Sequence, residues 1–274
     1  MPGKYHVAIV GATGAVGIEL LRVMERRDFP VADLRLLASP RSAGKKVAFR
    51  GREFSVTALE QDSFAGIDLA FFSAGSATAK QFAPIAQRSG AIVIDNSSAF
   101  RMDADVPLII PEINPEDIRA HRGIIANPNC TTIVALMALY PLHRAFGMRR
   151  VFAASYQAVS GSGARAIEEL QRQIEASIRG VAQFSHVYPH PIAFNVLPHV
   201  DSFLENGYTK EEMKLQNEGR KMMHLPDFRA SVTCVRVPVY RAHSVAMSAE
   251  FERPVAVNAA RDVLAKSPGL DLID

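Results

Sequence analysis

Tryptophan is absent from this sequence, cysteine occurs only twice, and neither charge sign dominates: 31 Lys and Arg stand against 28 Asp and Glu, for a net +3. Two cysteines exclude a scaffold stapled by several disulfides. The one pairing they allow, Cys130 with Cys234, is not expected in a reducing compartment. The mild positive balance gives no reason to expect nucleic acid, yet leaves room for a basic site facing an acidic small substrate. No apolar run is long enough to span a membrane, so no membrane association is expected. The N-terminus "MPGKYHVAIVGATG" enters a strand at once and carries no signal-peptide pattern, which points to the cytoplasm. What is present is apolar residue in quantity: 48% of 274 residues is enough to fill the core of one large or two ordinary domains.

The first half alternates strands and helices. "YHVAIVG", "LRLLAS", "DLAFFSAG", "AIVIDNSS" and "GIIANPN" read as short apolar strands. Between the first two lies an amphipathic helix with Val16, Leu20, Val23 and Met24 as its apolar stripe, and "TAKQFAPIAQRSG" reads as a second helix ending at Gly90. This order predicts a parallel sheet with helices on both faces, a Rossmann-type dinucleotide-binding domain. The character changes near residues 127–130. A helix is expected over 130–146, then the strand "RRVFAASYQAVSGSG" running into a glycine-rich loop. A long helix with Ile167, Leu170, Ile174 and Ile178 on one face follows, then an ordered proline-rich loop over 183–201. "TKEEMKLQNEGRKMM" is a further helix, and "SVTCVRVPV" and "HSVAMSAEFERP" are strands. In the last, Val245, Met247 and Phe251 alternate with Ser244, Ser248 and Glu250, as in an antiparallel sheet with one exposed face. The expected architecture is α/β: a dinucleotide-binding domain over 1–127, and an α+β domain with a mainly antiparallel sheet over 128–274.

"GATGAVG" at 11–17 directly follows the first strand and opens the first helix. Its three glycines permit a tight turn and close backbone approach, and the helix N-terminus can receive a diphosphate. Gly11, Thr13, Gly14, Ala15 and Val16 are therefore candidate cofactor residues. An NAD site usually places an acid at the end of the second strand, to grip the ribose hydroxyls. Here that strand runs into "SPRSAGK", with Ser39, Arg41, Ser42 and Lys45 instead. Donors and positive charge suit a 2′-phosphate, so NADP(H) is expected rather than NAD.

Cys130 sits in "NPNCTT", a polar turn just ahead of the apolar run "IVALMALYPL". Placement at a helix start, where backbone N–H groups and the helix dipole favour negative charge, marks it as a reactive thiol. Cys234, inside the strand "VTCVRV", reads as a buried inert cysteine. His186 and His190 have a spacing that suits a metal on a helix, but Pro189 and Pro191 break any such helix and no thiol or carboxylate cluster adjoins them. No metal is expected.

In this order "GATGAVG", "SPRSAGK", "DNSSAFRMD", "NPNCTT", "SYQAVSGSG", "EEMK" and "RVPVYRAHS" together resemble the bacterial aspartate-semialdehyde dehydrogenase family, from about residue 5 to the end. The resemblance implies that Cys130 is the nucleophile and His243 the acid/base group. It implies that Gln157 orients the substrate beside the thiol and Arg236 grips its α-carboxylate. Arg101 and Lys214 would bind phosphate, and Glu211, three residues before Lys214 and on the same helix face, would lie near the substrate amino group. Ser160 and Gly161 would contact the nicotinamide. Asn127 and Asn129 line the same region with no implied role.

The implied reaction reduces aspartyl-4-phosphate with NADPH. Cys130 displaces phosphate, the thioester accepts hydride, and aspartate semialdehyde is released with help from His243, all reversibly. The step feeds synthesis of lysine, methionine, threonine and diaminopimelate. A homodimer across the 128–274 domain is implied. Family members continue for several tens of residues beyond "SPGLDLID", so a catalytic domain lacking that C-terminal segment is expected. Two alternatives stand beside this reading: an enzyme like N-acetyl-glutamyl-phosphate reductase, and a non-catalytic binding or assembly subunit.

Overall fold

The computed structural model describes residues 3–273. The chain divides into two compact units, one of residues 1–109 and 116–128, the other of residues 110–115 and 129–274. The segment 110–115 thus joins the second unit, although it lies inside the 1–127 span read from sequence.

The first unit is built on a seven-stranded sheet of β1 (Tyr5–Val10), β2 (Val31–Ala38), β3 (Lys46–Phe49), β4 (Arg52–Ala58), β5 (Leu69–Phe72), β6 (Ile92–Asp95) and β7 (Ile124–Ala126), in the order β3-β4-β2-β1-β5-β6-β7. All neighbours are parallel except the β3–β4 hairpin. β1 is buried on both faces. Val7 and Ile9 pack with Leu21 and Met24 of helix α1 (Ala15–Arg26). Ala8 and Val10 pack with Ala79, Ala83 and Ala86 of helix α2 (Ser76–Arg88). Each large side chain buried this way contributes roughly 1.5–3 kcal/mol.

The buried face of α1 is Gly17, Leu21 and Met24, while Val16 is exposed. The stripe is rotated from the one read in sequence because Gly17 must face the strand turn. A Cβ there would lie 2.4 Å from the Gly11 carbonyl oxygen, so only glycine lets the helix dock. The hairpin β3–β4 was not among the expected strands. Its signal is Arg50–Gly51, with φ of 50° and 70°, flanked by Val47, Phe49, Phe54 and Val56. Two successive positive φ values are what a tight hairpin turn demands.

The second unit contains α3 (Cys130–Phe146), β8 (Met148–Gln157), α4 (Ala164–Ile178), α5 (Lys210–Met223), β9 (Arg229–Arg236), β10 (Ser244–Phe251) and α6 (Val257–Ala265). Its sheet has the order β10-β8-β9. β10 is antiparallel to β8, but β9 is parallel to it, so the sheet expected to be mainly antiparallel is mixed. The chain re-enters on β9 only after α4, the long loop and α5, and a connection of that length permits a parallel neighbour. β10 alternates exposed and half-buried residues along its length.

Helix α4 buries polar residues as well as Leu170, and Ile178, expected on the apolar face, is 79% exposed. The buried polar groups order the proline-rich loop. Glu169 Oε2 accepts the N–H groups of His186 and Val187, and Gln173 Oε1 accepts those of Ile192 and Ala193. A loop without regular structure needs such partners for its backbone.

Candidate active site

In the first unit the 11–17 turn is closed by geometry that only glycine meets. Gly11 has φ of 90°, and a Cβ on it would lie 2.4 Å from the Ser73 carbonyl oxygen. Gly14 caps α1 with no side-chain hydrogen bond, so the first amides of the helix are left for another acceptor. Ser39, Arg41 and Ser42 lie on the short turn after β2, and Thr13 Oγ1 is 3.4 Å from Ser42 Oγ, which brings that turn to the glycine-rich one. Arg41 is exposed, and no carboxylate occupies the end of β2. The cradle fits the diphosphate of a dinucleotide.

Arg101 belongs to the same unit. Its Nε donates to the Asn127 carbonyl at 2.9 Å and its Nη2 to the Asn96 carbonyl at 3.0 Å, while the Asn127 and Asn96 side chains join at 2.6 Å. Buried Asp95 anchors this loop by accepting both the N–H and the hydroxyl of Ser97. Burial pushes its carboxyl up, against the Ser97 hydrogen bonds and the charge of Arg101.

Cys130 is the first residue of α3 and is exposed; Cys234 is buried, and no disulfide joins them. Asn129 is the N-cap. Its Oδ1 accepts the N–H groups of Thr131 and Thr132, and its backbone N–H donates to Glu218 Oε2 at 2.7 Å. Its Nδ2 donates to Glu211 Oε1 at 3.0 Å. Gln157, at the end of β8, donates to the same Glu211 oxygen at 2.9 Å and to the Thr131 hydroxyl. Lys214 closes the set, 2.6 Å from Glu211 Oε2 and 3.5 Å from Asp201.

This is not a solvated ion pair, since the Glu211 side chain is only 9% exposed. Burial alone would raise the Glu211 carboxyl. The charge and hydrogen bond of Lys214, with the hydrogen bonds of Gln157 and Asn129, overcome that and hold it below the ordinary range. Burial pushes the Cys234 thiol up to about 12.

Arg236, at the end of β9, is buried. Its Nη1 donates to the Ala158 carbonyl at 2.7 Å, its guanidinium lies 5.8 Å from the Tyr188 ring centre, and its buried Nε has no hydrogen-bond partner among the described residues. His243 Nδ1 accepts the Ala158 N–H at 3.0 Å. Burial first, then the charge of Arg236, lower the His243 pKa from its ordinary 6.5. Both side chains converge on Gly161, where a Cβ would sit 2.9 Å from Arg236 Nη1 and 3.2 Å from His243 Nε2. Ser160 and Gly161 lie on the short turn Val159–Ser162.

The second unit therefore gathers Gln157, Glu211 and Lys214 beside the helix start that carries Cys130, and Arg236 with His243 above Gly161. Arg101 and the glycine-rich turn are in the first unit. Sequence reasoning left Asn129 without a role and passed over Glu218 and Thr131. An Asn directly before a helical run is a capping signal, and it marks the first of these. Nothing local in sequence links Glu218 to residue 129. Among the described residues no group of three His, Cys, Asp or Glu is placed to hold a metal ion. No helix among them is long and apolar enough to cross a membrane.

Residues 6–121 match the family model described as semialdehyde dehydrogenase, NAD binding domain, and residues 139–274 match that of the semialdehyde dehydrogenase dimerisation domain. The chain is 52% identical to an aspartate-semialdehyde dehydrogenase of Aquifex aeolicus, covering 98% of this chain and 81% of the relative. It is 48% identical to the enzyme of that name from Synechocystis, covering 100% and 81%. The crystal structure of aspartate semialdehyde dehydrogenase II from Vibrio cholerae, complexed with ASA, superposes with a TM-score of 0.96 at 43% identity, covering 98% of this chain and 81% of that one.

Proposed function

The chain belongs to the aspartate-semialdehyde dehydrogenase family, and from that premise we propose that it reduces aspartyl-4-phosphate to aspartate semialdehyde and phosphate, with NADPH, through a thioester on Cys130. The observation that carries the reading is the hydrogen-bonded set of buried Asn129 and Gln157 with the partly buried Glu211–Lys214 pair, beside the exposed thiol at the start of α3.

Cys130 Sγ attacks the acyl carbon, the C–S bond forms, and the C–O bond to phosphate breaks. Lys214 would hold the phosphate as it departs, and Arg101 is the other phosphate-binding residue that the family resemblance implies. Gln157 positions the acyl group. Arg236 takes the α-carboxylate in a bidentate grip of its guanidinium. Glu211, held ionised, faces a free ammonium better than an acylated nitrogen, which favours aspartyl phosphate over an N-acetylated substrate. His243 assists proton transfer as the thiohemiacetal collapses to the aldehyde.

A bound nicotinamide dinucleotide supplies the hydride that the reduction needs. Gly11, Thr13, Gly14, Ala15 and Val16 would hold its diphosphate, Ser39, Arg41 and Ser42 its 2′-phosphate, and Ser160 and Gly161 its nicotinamide end. The lack of an acid after β2 supports NADP over NAD. The chain is expected to act in the cytoplasm as a homodimer, with the exposed β-sheet face around Phe152 and Tyr156 as the contact surface.

The test is phosphate-dependent reduction of NADP by L-aspartate semialdehyde. Turnover with this aldehyde, and little with N-acetyl-L-glutamate semialdehyde, supports the reading; the reverse preference overturns it.

A further inference from the structure

We propose that the proline-rich loop is a working part of the substrate site, with Tyr188 as a positioning residue that holds the Arg236 guanidinium ready for a carboxylate; this rests on the reading of Arg236 as the grip on the substrate α-carboxylate. β9 is an edge strand, paired along its length with β8 alone, and Arg236 ends it opposite Gln157. At that end the loop supplies the missing neighbour. The Arg236 N–H donates to the Leu197 carbonyl at 2.8 Å, and the Leu197 N–H donates back to the Arg236 carbonyl at 2.9 Å. This reciprocal antiparallel pair fixes the backbone of Arg236 on its open side.

The side chain is held as well. An arginine has several rotatable bonds, and freezing them on binding weakens the ligand's affinity. In this chain the freezing is done by the fold. Arg236 is buried, its Nη1 donates to the Ala158 carbonyl at 2.7 Å, and the Tyr188 ring centre lies 5.8 Å from the guanidinium carbon. The carbonyl pins one nitrogen, and the ring attracts the cation without neutralising it. Among the described residues no carboxylate forms an ion pair with Arg236. A buried cation without a paired acid is costly unless an anion arrives to meet it.

The loop in turn is clamped on both sides of Tyr188. Glu169 Oε2 takes the N–H groups of His186 and Val187 just before it, and Gln173 Oε1 takes those of Ile192 and Ala193 just after it. Gln173 Nε2 also donates to the Phe184 carbonyl at 3.0 Å. Ile192 and Leu197 are buried with Val159, Ala166 and Leu170, and Tyr188 packs against that cluster. Glu169 Oε1 has no hydrogen-bond partner among the described residues, so α4 buries an acid where apolar packing would be less costly. What the acid secures is a single path for the chain into Tyr188. The clamps, the ring and the Leu197 pair all converge on one guanidinium.

The test is a double-mutant cycle between Tyr188 and Arg236, read in KM for L-aspartate semialdehyde, KM for NADP and kcat. Tyr188→Leu keeps apolar bulk and removes the ring. It should raise KM for the aldehyde by about three- to thirtyfold, the range of a cation–ring contact, and leave KM for NADP and kcat near their starting values. Tyr188→Phe keeps the ring and should stay within about twofold of the parent chain. In an Arg236→Ala background, Tyr188→Leu should add nothing further. Where leucine lowers the melting temperature too far for assay, Tyr188→Met fills the same space and takes its place. An unchanged KM in Tyr188→Leu overturns the proposal. So does an equal loss in Tyr188→Phe, or a KM rise of the same size with Arg236 already removed, or parallel damage to KM for NADP and kcat. If Arg236→Ala alone leaves KM for the aldehyde unchanged, the carboxylate reading itself falls and takes the proposal with it.

Discussion

Replacing Glu211 with glutamine keeps the shape of the side chain and removes one charge. The structure sets the size of two separate effects. The first is on stability. Breaking a fully buried ion pair costs about 3–5 kcal/mol, because the remaining charge is left uncompensated. Lys214, the charge left behind, is 22% exposed and keeps Asp201 at 3.5 Å. The amide oxygen of the new side chain still accepts from Gln157 and Asn129. The expected loss is therefore about 1–2 kcal/mol, between the value of an exposed pair, at most about 1 kcal/mol, and the cost of breaking a fully buried one. For a unit of this size that is roughly 2–8 °C in melting temperature. The second effect is on binding. If Glu211 faces the substrate ammonium, its loss removes a charge-assisted contact of about 1.5–3 kcal/mol, or roughly a ten- to hundredfold rise in KM for L-aspartate semialdehyde. The assay is KM and kcat at saturating phosphate, beside a melting curve of the same preparation. A lowered melting temperature with unchanged KM would refute the substrate role and leave Glu211 as a purely structural group.

Arg41→Ala should weaken NADPH far more than NADH, by roughly ten- to a hundredfold, since only NADPH has a 2′-phosphate to lose; equal losses in cofactor titrations would show that Arg41 does not read that phosphate. The His243 pKa is lowered from 6.5, so the unfolded chain takes up that proton first. Its contribution to stability is present above pH 6.5 and is lost as pH falls below that value. An acid limb of kcat/KM that disappears in His243→Gln should likewise lie below pH 6.5, and a limb above it would contradict the burial-driven shift. Iodoacetamide should modify Cys130 well before Cys234, which is buried with its thiol pushed up to about 12; peptide mapping showing the opposite order would mean that α3 does not present Cys130 as described.

The parts of the fold that were legible in sequence are those with local causes. Helix α3 runs from residue 130 to 146 as expected, because an Asn cap precedes it and a glycine follows it. The β1–turn–α1 unit was legible because Gly11, Gly14 and Gly17 mark backbone approaches that no other residue tolerates. The direction of β9 was not legible, since pairing with β8 is decided by contacts across a long connection. The buried face of α4 was also hidden. Its apolar pattern suggested Ile178, whereas Glu169 and Gln173 turn inward to satisfy the loop backbone. At the site, residue types pointed to the thiol, but the Ala158 contacts that join Arg236 and His243 lie in the backbone and leave no trace in side-chain identity.

The most direct test of the central claim is a single-turnover experiment without phosphate. L-aspartate semialdehyde and NADP are mixed with the chain, and NADPH formation is followed while the protein is quenched for mass spectrometry. If Cys130 forms the thioester, a stoichiometric burst of NADPH should appear and stop. An aspartyl adduct should then be found on the Cys130 peptide, discharged by added phosphate and absent in Cys130→Ser. Steady NADPH formation without phosphate, or an adduct on any other residue, would contradict the account.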